Sequence, residues 1–411
     1  MLVFSLLSAA LATPVILAPP APDAATRPIS GQAHTQVYGY HPYWGGDVND
    51  YELSGLTHIA VFDVGATSEG ELTDIYRWTS VAEDLVARAH PEGVKVHLCV
   101  TSFQDSINNV LFASPEYRSN LAQNLASLVN DAGADGVNVD VEGLDPQNRD
   151  SLTELIIELK SLVDEVYLAT PAVDWSDAYD YEALGRISDG LFIMGYGYHW
   201  SGGDPGPIAP LYGGSPWSNY ALDWTVDDYL DAGVESDKII LGLPLYGRHW
   251  QTISEQVPGT SNGSAGEAIL VGEAIAIAEE DGREWDETTH TPFVLYPESQ
   301  IWYDDIQSIG DKLDYAIELN LGVGFWALTY EHNLPGFWEM VISKTTTRDE
   351  TELPEEDTGE STGNSSEDTG EPLPVSKQEC SGCSTTSGPA VLGCLMAAIG
   401  AVRRRRTKRE A

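Results

Sequence analysis

Eight short runs rich in β-branched, aromatic and aliphatic residues recur between residues 37 and 331, at 37–44, 56–64, 95–102, 135–142, 165–173, 190–199, 238–250 and 322–331. Segments of helical period separate several of them, and strands alternating with helices at this spacing pair in parallel through crossover helices. In 151–165, Leu152, Leu155, Ile156, Leu159, Leu162 and Val163 form one apolar stripe, with Ser151 as the expected N-cap and Glu154 completing a capping box. A second helix is expected over 118–131, carrying Leu121, Leu125, Leu128 and Val129 and stopping near Gly133. Eight such units suit an α/β fold of the (β/α)8 TIM barrel type. An open doubly wound sheet is the alternative, but no Gly-rich phosphate fingerprint follows the first run. Residues 251–300 break the rhythm, with a helical run at 268–280 and short strand-like pieces such as 292–296. They read as a small α+β insertion between strands 7 and 8, one wall of a cleft.

The ends of the 411-residue chain differ from this body. Residues 1–18 are apolar and small and read as a secretory signal peptide, with a buried strand or membrane anchor as the alternative. A Pro/Ala/Thr linker follows over 19–36 and leads into a catalytic barrel over 37–345. Residues 346–379 have almost nothing apolar to offset the entropy of ordering and read as a disordered acidic stalk. The last segment, 380–411, has Cys380 and Cys383, a 14-residue apolar run at 389–402 and a cluster from Arg403 to Arg409. As a helix that run is short for a hydrocarbon core about 30 Å thick.

Charge follows the same division. The formal net charge of −43 splits into −38 for residues 1–348, −10 for 349–379 and +5 for 380–411. So acidic a body excludes nucleic acid as a partner, since phosphate binding needs a basic surface. It reads as a solvating surface, or as one that recruits a cationic substrate. Cys99 stands alone before residue 380 and reads as a small buried hydrophobe, so no disulfide framework is expected. No His/Cys/Asp cluster has metal-ligand spacing, and no cofactor is expected.

The chemistry concentrates in Asp135-Gly-Val-Asn138-Val-Asp140-Val-Glu142. On a strand alternate side chains share a face, so Val137, Val139 and Val141 point to the surrounding helices. Asn138, Asp140 and Glu142 then point into the barrel, with Glu142 at the C-terminal end of the strand, where barrel active sites lie. An inward row of amide and carboxyl groups is costly unless satisfied or used. Two carboxyls on one face couple their titrations, and burial with mutual repulsion raises both, as a general acid near neutral pH requires.

This segment resembles the strand-four signature of glycoside hydrolase family 18, Asp-x-x-Asp-x-Asp-x-Glu, with Asn138 in place of the second Asp. Three further segments agree in chain order. Met194-Gly-Tyr196-Gly197 is similar to the family's Met-x-Tyr-Asp with Gly197 for Asp. Trp326 matches the strand-eight Trp. Trp302 to Ser308, followed by Lys312, resembles the segment before strand eight. The resemblance implies a chitinase-like or peptidoglycan N-acetylglucosaminidase-like enzyme cleaving β-1,4 bonds at N-acetylglucosamine with help from the substrate's own acetamide. By that likeness Glu142 is the acid and base, Asp140 orients the acetamide and stabilises positive charge, Tyr196 holds the acetamido oxygen, and Trp326 forms the floor. Asn138 is a helper, and its missing charge is expected to leave Asp140 less perturbed. Tyr40, Trp44 and Trp200 are candidate substrate-binding aromatics; Tyr43, Trp175, Tyr198, His199, Asp174 and Tyr246 are further rim positions. The alternative to an enzyme is a non-catalytic sugar-binding barrel, in which the acid would be missing. The last 32 residues resemble bacterial Cys–apolar–Arg sorting tails, which implies export, membrane contact through the tail and attachment at the cell surface. A monomer is expected.

Overall fold

The computed structural model describes residues 35–346. Eight parallel strands close into a barrel: β1 (Val37–Pro42), β2 (His58–Ala66), β3 (Lys95–Ser102), β4 (Gly136–Val141), β5 (Glu165–Pro171), β6 (Gly190–Met194), β7 (Ile239–Pro244) and β8 (Gly322–Trp326). Each pairs with its chain neighbour, and β1 closes the ring by pairing with both β2 and β8. This is the expected (β/α)8 TIM barrel. Several runs end earlier as strands than read, at Pro42, Pro171, Met194, Pro244 and Trp326.

Large side chains fill the interior. Phe192 on β6 spans it toward Tyr38 and Tyr40, with ring centroids 5.8 and 4.9 Å away. It fits because its neighbours across the barrel are small: a Cβ on Gly242 or Gly324 would stand 2.3 Å from its ring. Helices cover the outside with their apolar stripes. Helix Pro115–Ala132 buries Leu121, Leu125 and Val129, is capped by Ser114, and stops at Gly133 in the left-handed region (φ 66°).

The next helix departs from expectation. It runs Arg149–Lys160 and enters from a 3-10 turn at Pro146–Asn148, so Ser151 lies inside the first turn and caps nothing. Glu154 instead pairs with the buried Arg118 guanidinium on the neighbouring helix. The stripe at Leu152, Leu155, Ile156 and Leu159 is buried as read, while Leu162 falls beyond the helix end and is exposed.

The insertion starts earlier than its composition suggested. The run 238–250 is two strands, β7 in the barrel and Tyr246–Gln251 in a separate antiparallel sheet. That sheet runs Glu267–Leu270, Tyr246–Gln251, Ser299–Trp302, Thr291–Tyr296, Glu284–Asp286, with helix Val271–Asp281 alongside. Residues 268–270, read as helix, form an edge strand. The segment leading back to the barrel is tied down by a buried ion pair between Lys312 and Asp304, with Ser308 Oγ donating to Asp304 Oδ1 at 2.7 Å. Asp305 and Ser308 form the capping box of helix Ile306–Glu318. Among the described residues no helix is long and apolar enough to cross a membrane. The signal peptide, most of the linker, nearly all of the stalk and the whole sorting tail lie outside the described residues.

Candidate active site

β4 carries the row as its alternation required. Val137, Val139 and Val141 are buried against the helical layer, and Asn138 and Asp140 are buried inside the barrel, Asp140 at 3% exposure. Glu142 follows the last residue of the strand and keeps partial exposure, which suits a group that must reach a ligand. Its backbone is fixed on both sides. Glu142 N donates to Ser102 O at 3.0 Å, Asn108 Nδ2 donates to Glu142 O at 2.8 Å, and Tyr179 Oη donates to Val141 O at 2.5 Å. Asn108 and Tyr179 were invisible in the sequence because they come from the crossover before β4 and from the one between β5 and β6. Asp135 belongs to the base of the strand: its Oδ2 accepts from Val96 N at 2.7 Å and pairs with His90 at 2.9 Å.

The floor is aromatic. Trp326 at the end of β8 is 3% exposed and lies among Phe62, Tyr40 and Trp44, with ring centroids 4.8, 5.3 and 6.3 Å away. Tyr40 is wholly buried and donates to Asn138 Oδ1 at 3.0 Å, so it supports Asn138 from beneath. Trp44 Nε1 donates to Tyr330 Oη at 2.8 Å, which sets its ring beside the floor. Tyr196 is buried edge-on to Tyr246 at 6.1 Å, close enough to Asp140 and Glu142 to feel their charge. Cys99 is buried, with Sγ 3.5 Å from Asn138 Oδ1. Four polar atoms of this group have no hydrogen-bond partner in the protein: Asn138 Nδ2, Asp140 Oδ1, Glu142 Oε1 and Trp326 Nε1. Buried polar atoms are nearly always paired, so four together mark a surface built for a polar ligand.

Other rim positions are not drawn into this cluster. Trp200, 46% exposed, folds against Gly202 and Gly203 on the loop after β6. Trp175 is exposed and packs edge-on to Tyr220 at 4.9 Å. Asp174 caps a local turn, accepting from Ser176 N and Tyr179 N. Gly197 has φ 82° with open space where a side chain would stand.

The electrostatics correct one expectation. Asp140 is held well above the ordinary carboxyl range, first by burial and then by a second carboxylate, Asp63. Glu142 is pushed up by burial and by Asp140. Asn138 does remove a charge from β4, but β2 supplies another. Its register slips between Phe62 and Val64, and the extra residue, Asp63, is buried. Asp63 accepts from Thr101 Oγ1 and from Arg77 Nη1, both at 2.6 Å, and Arg77 in turn lies under the Tyr43 ring at 3.7 Å. Burial raises the Asp63 carboxyl despite those partners.

A closed (β/α)8 barrel with coupled, upshifted carboxyls at the C-terminal end of strand four, joined through Asn138 and Tyr40 to an aromatic cluster around Trp326, is the arrangement of a glycosidase. The family model of glycosyl hydrolases family 18 matches residues 36–331, and the chain belongs to that family. It is 27% identical over 297 residues to the cortical fragment-lytic enzyme of Bacillus subtilis, covering 66% of this chain and 64% of that one, just under two thirds of the relative's length. It is 24% identical over 309 residues to di-N-acetylchitobiase of Homo sapiens, covering 65% of this chain and 77% of the relative. Among solved structures, the Ostrinia furnacalis Group IV chitinase in complex with allosamidin superposes with a TM-score of 0.69 at 20% identity, over 76% of this chain and 97% of that one. At that identity the likeness establishes the fold.

Proposed function

We propose that this glycosidase cleaves β-1,4 bonds at N-acetylglucosamine in chitin-type polymers by a substrate-assisted retaining mechanism. The observation that carries the reading is the buried row Asn138, Asp140 and Glu142 together with Trp326, each with one unpartnered polar atom. Glu142 is pushed upward by burial and by Asp140, which favours its protonated form, and it is partly exposed, so it delivers a proton to the glycosidic oxygen as the bond to the anomeric carbon breaks. The acetamido carbonyl oxygen of the same sugar attacks that carbon, giving a cyclic oxazolinium ion. Asp140 accepts the acetamido N–H and faces the developing positive charge, an interaction strengthened by burial. Tyr196 directs its hydroxyl to the acetamido oxygen. Water then opens the ring from the face the leaving group vacated and gives its proton to Glu142, so configuration is retained.

Peptidoglycan glycan strands are the second reading, favoured by the likeness to the cortical fragment-lytic enzyme. Parallel product analysis on chitin oligomers and purified peptidoglycan separates the two. New reducing ends from neither would sink both. Substrate assistance has its own test: oligomers lacking the N-acetyl group should not be cleaved, and equal rates with and without it would refute that step. Trp44 and Trp200 are proposed as outer contacts to neighbouring sugars. Export, with attachment through the Cys–apolar–Arg tail, is proposed from residues 1–18 and 380–411; finding the protein only in the cytosolic fraction of its host would overturn it.

A further inference from the structure

The opposite end of the barrel holds a second cluster. His58, the first residue of β2, and His97 on β3 are buried, and Glu165, the first residue of β5, is nearly so. One side-chain atom from each lies within 4.8 Å of the other two. Both imidazoles converge on the same oxygen: His58 Nε2 is 3.3 Å and His97 Nε2 is 3.1 Å from Glu165 Oε2. The backbone makes that convergence possible. His97, Gly136 and Glu165 lie side by side across β3, β4 and β5, and a Cβ on Gly136 would stand 3.0 Å from the Glu165 Cβ and 2.2 Å from its carbonyl oxygen. The glycine leaves an open lane between the two ligating side chains.

From this geometry we infer that His58, His97 and Glu165 form a binding site for one divalent transition metal, of the zinc class, that ties three barrel strands together at their N-terminal ends. Three features carry it. The donor set, two imidazoles and one carboxylate, suits a tetrahedral site. Ligands about 2.0–2.1 Å from a tetrahedral zinc stand roughly 3.3 Å apart, which the two measured separations match. They lie at or just beyond the long end of the ~2.7–3.2 Å range of an N–H···O hydrogen bond, and His97 Nε2 makes one to Glu165 Oε2 that the metal would replace. Each imidazole also has its other nitrogen held: His58 Nδ1 lies 2.7 Å from Thr57 Oγ1 and His97 Nδ1 lies 2.9 Å from Tyr38 Oη. Such outer contacts orient a ligating ring and leave Nε2 free to bind. Tyr167 Oη, 3.5 Å from His58 Nε2 and donating to Gln36 Oε1 at 2.9 Å, offers a fourth oxygen. Lys95 pairs with the other carboxylate oxygen, Glu165 Oε1, from a half-exposed position, and so competes for Glu165 without occupying Oε2. No motif announces this set, because its members are 39 and 68 residues apart and meet only when the barrel closes.

The test uses the full chain with Cys380, Cys383 and Cys394 changed to Ser, which removes the tail thiols as rival ligands. Cobalt(II) is titrated into chelator-stripped protein and followed by its visible absorption, with zinc counted by equilibrium dialysis in moderate salt to suppress weak binding to the acidic surface. One equivalent of each metal, with the intense absorption of four-coordinate cobalt, is expected. His97→Gln and Glu165→Gln should each weaken binding by about 100-fold or more. Lys95→Gln, a change at a half-exposed position, should tighten it several-fold by removing the competing cation. The Cys-to-Ser chain giving only the weak absorption of six-coordinate cobalt would overturn the site. So would unchanged affinity in Glu165→Gln, or an affinity that does not rise in Lys95→Gln. The results for the Cys-to-Ser chain and for Lys95→Gln in that chain decide the matter even if the buried-ligand variants fail to fold.

Discussion

Thr101 Oγ1 donates a 2.6 Å hydrogen bond to Asp63 Oδ2, and Thr101 is the register partner of Asp140 on the adjacent strand. That bond delivers a carboxylate from β2 to the environment of a residue on β4. After burial, which is the larger cause, that carboxylate helps keep Asp140 strongly upshifted although its own strand carries Asn138 where the family signature has an acid.

Removing that charge should move the pH profile. In Asp63→Asn, Asp140 loses a negative neighbour and ionises more easily, so the coupled pair gives up its proton sooner. The alkaline limb of kcat/KM should shift to lower pH by about one unit. Asn138→Asp places a carboxyl on the row itself and should shift the same limb upward. Profiles on a chromogenic chito-oligosaccharide that move together, or not at all, would refute this account.

Glu142→Gln should abolish turnover, by about 1000-fold or more, while oligosaccharide binding measured by calorimetry persists. Equal turnover by variant and wild type would remove Glu142 as the acid. Asp140→Asn should lower kcat by orders of magnitude with a smaller effect on binding.

The same charges should cost stability. A carboxyl whose folded pKa is raised binds its proton more tightly in the fold than in the unfolded chain. Stability is therefore full below the ordinary carboxyl pKa and is lost as pH rises towards the folded value. For Asp140 that window runs upward from about pH 4. Asp140→Asn should match wild type near pH 3.5 and be more stable at pH 7 by about 1–3 kcal/mol, read from urea unfolding at the two pH values. A destabilised variant at pH 7 would contradict the sign.

Lys312 and Asp304 are both buried and form an ion pair at the return from the insertion to the barrel. Lys312→Met leaves Asp304 as an unpaired buried charge and should cost about 3–5 kcal/mol. Adding Asp304→Asn should recover part of that loss, since it removes the stranded charge. A single variant as stable as wild type would show the pair to be dispensable.

Much of this molecule was legible in its sequence, for a local reason. Strand alternation on 135–142 fixes which side chains enter the barrel, whatever surrounds them, and the chain order of the runs fixes parallel pairing. Asn138, Asp140 and Glu142 therefore stood where their spacing put them, and Trp326 lay at the end of its strand. Partners from remote segments were not legible. Asp63 enters through a slip in strand register, Asn108 and Tyr179 lock Glu142 from separate crossovers, and Glu154 serves Arg118 rather than a cap. Tyr246 begins a second sheet within one continuous apolar run, because strand propensity does not say which sheet a strand joins. The sequence by itself determined the barrel and its inward carboxyl row. Only the tertiary structure decided which distant charges face that row and that His58, His97 and Glu165 meet, because closing the barrel, not spacing along the chain, sets those distances.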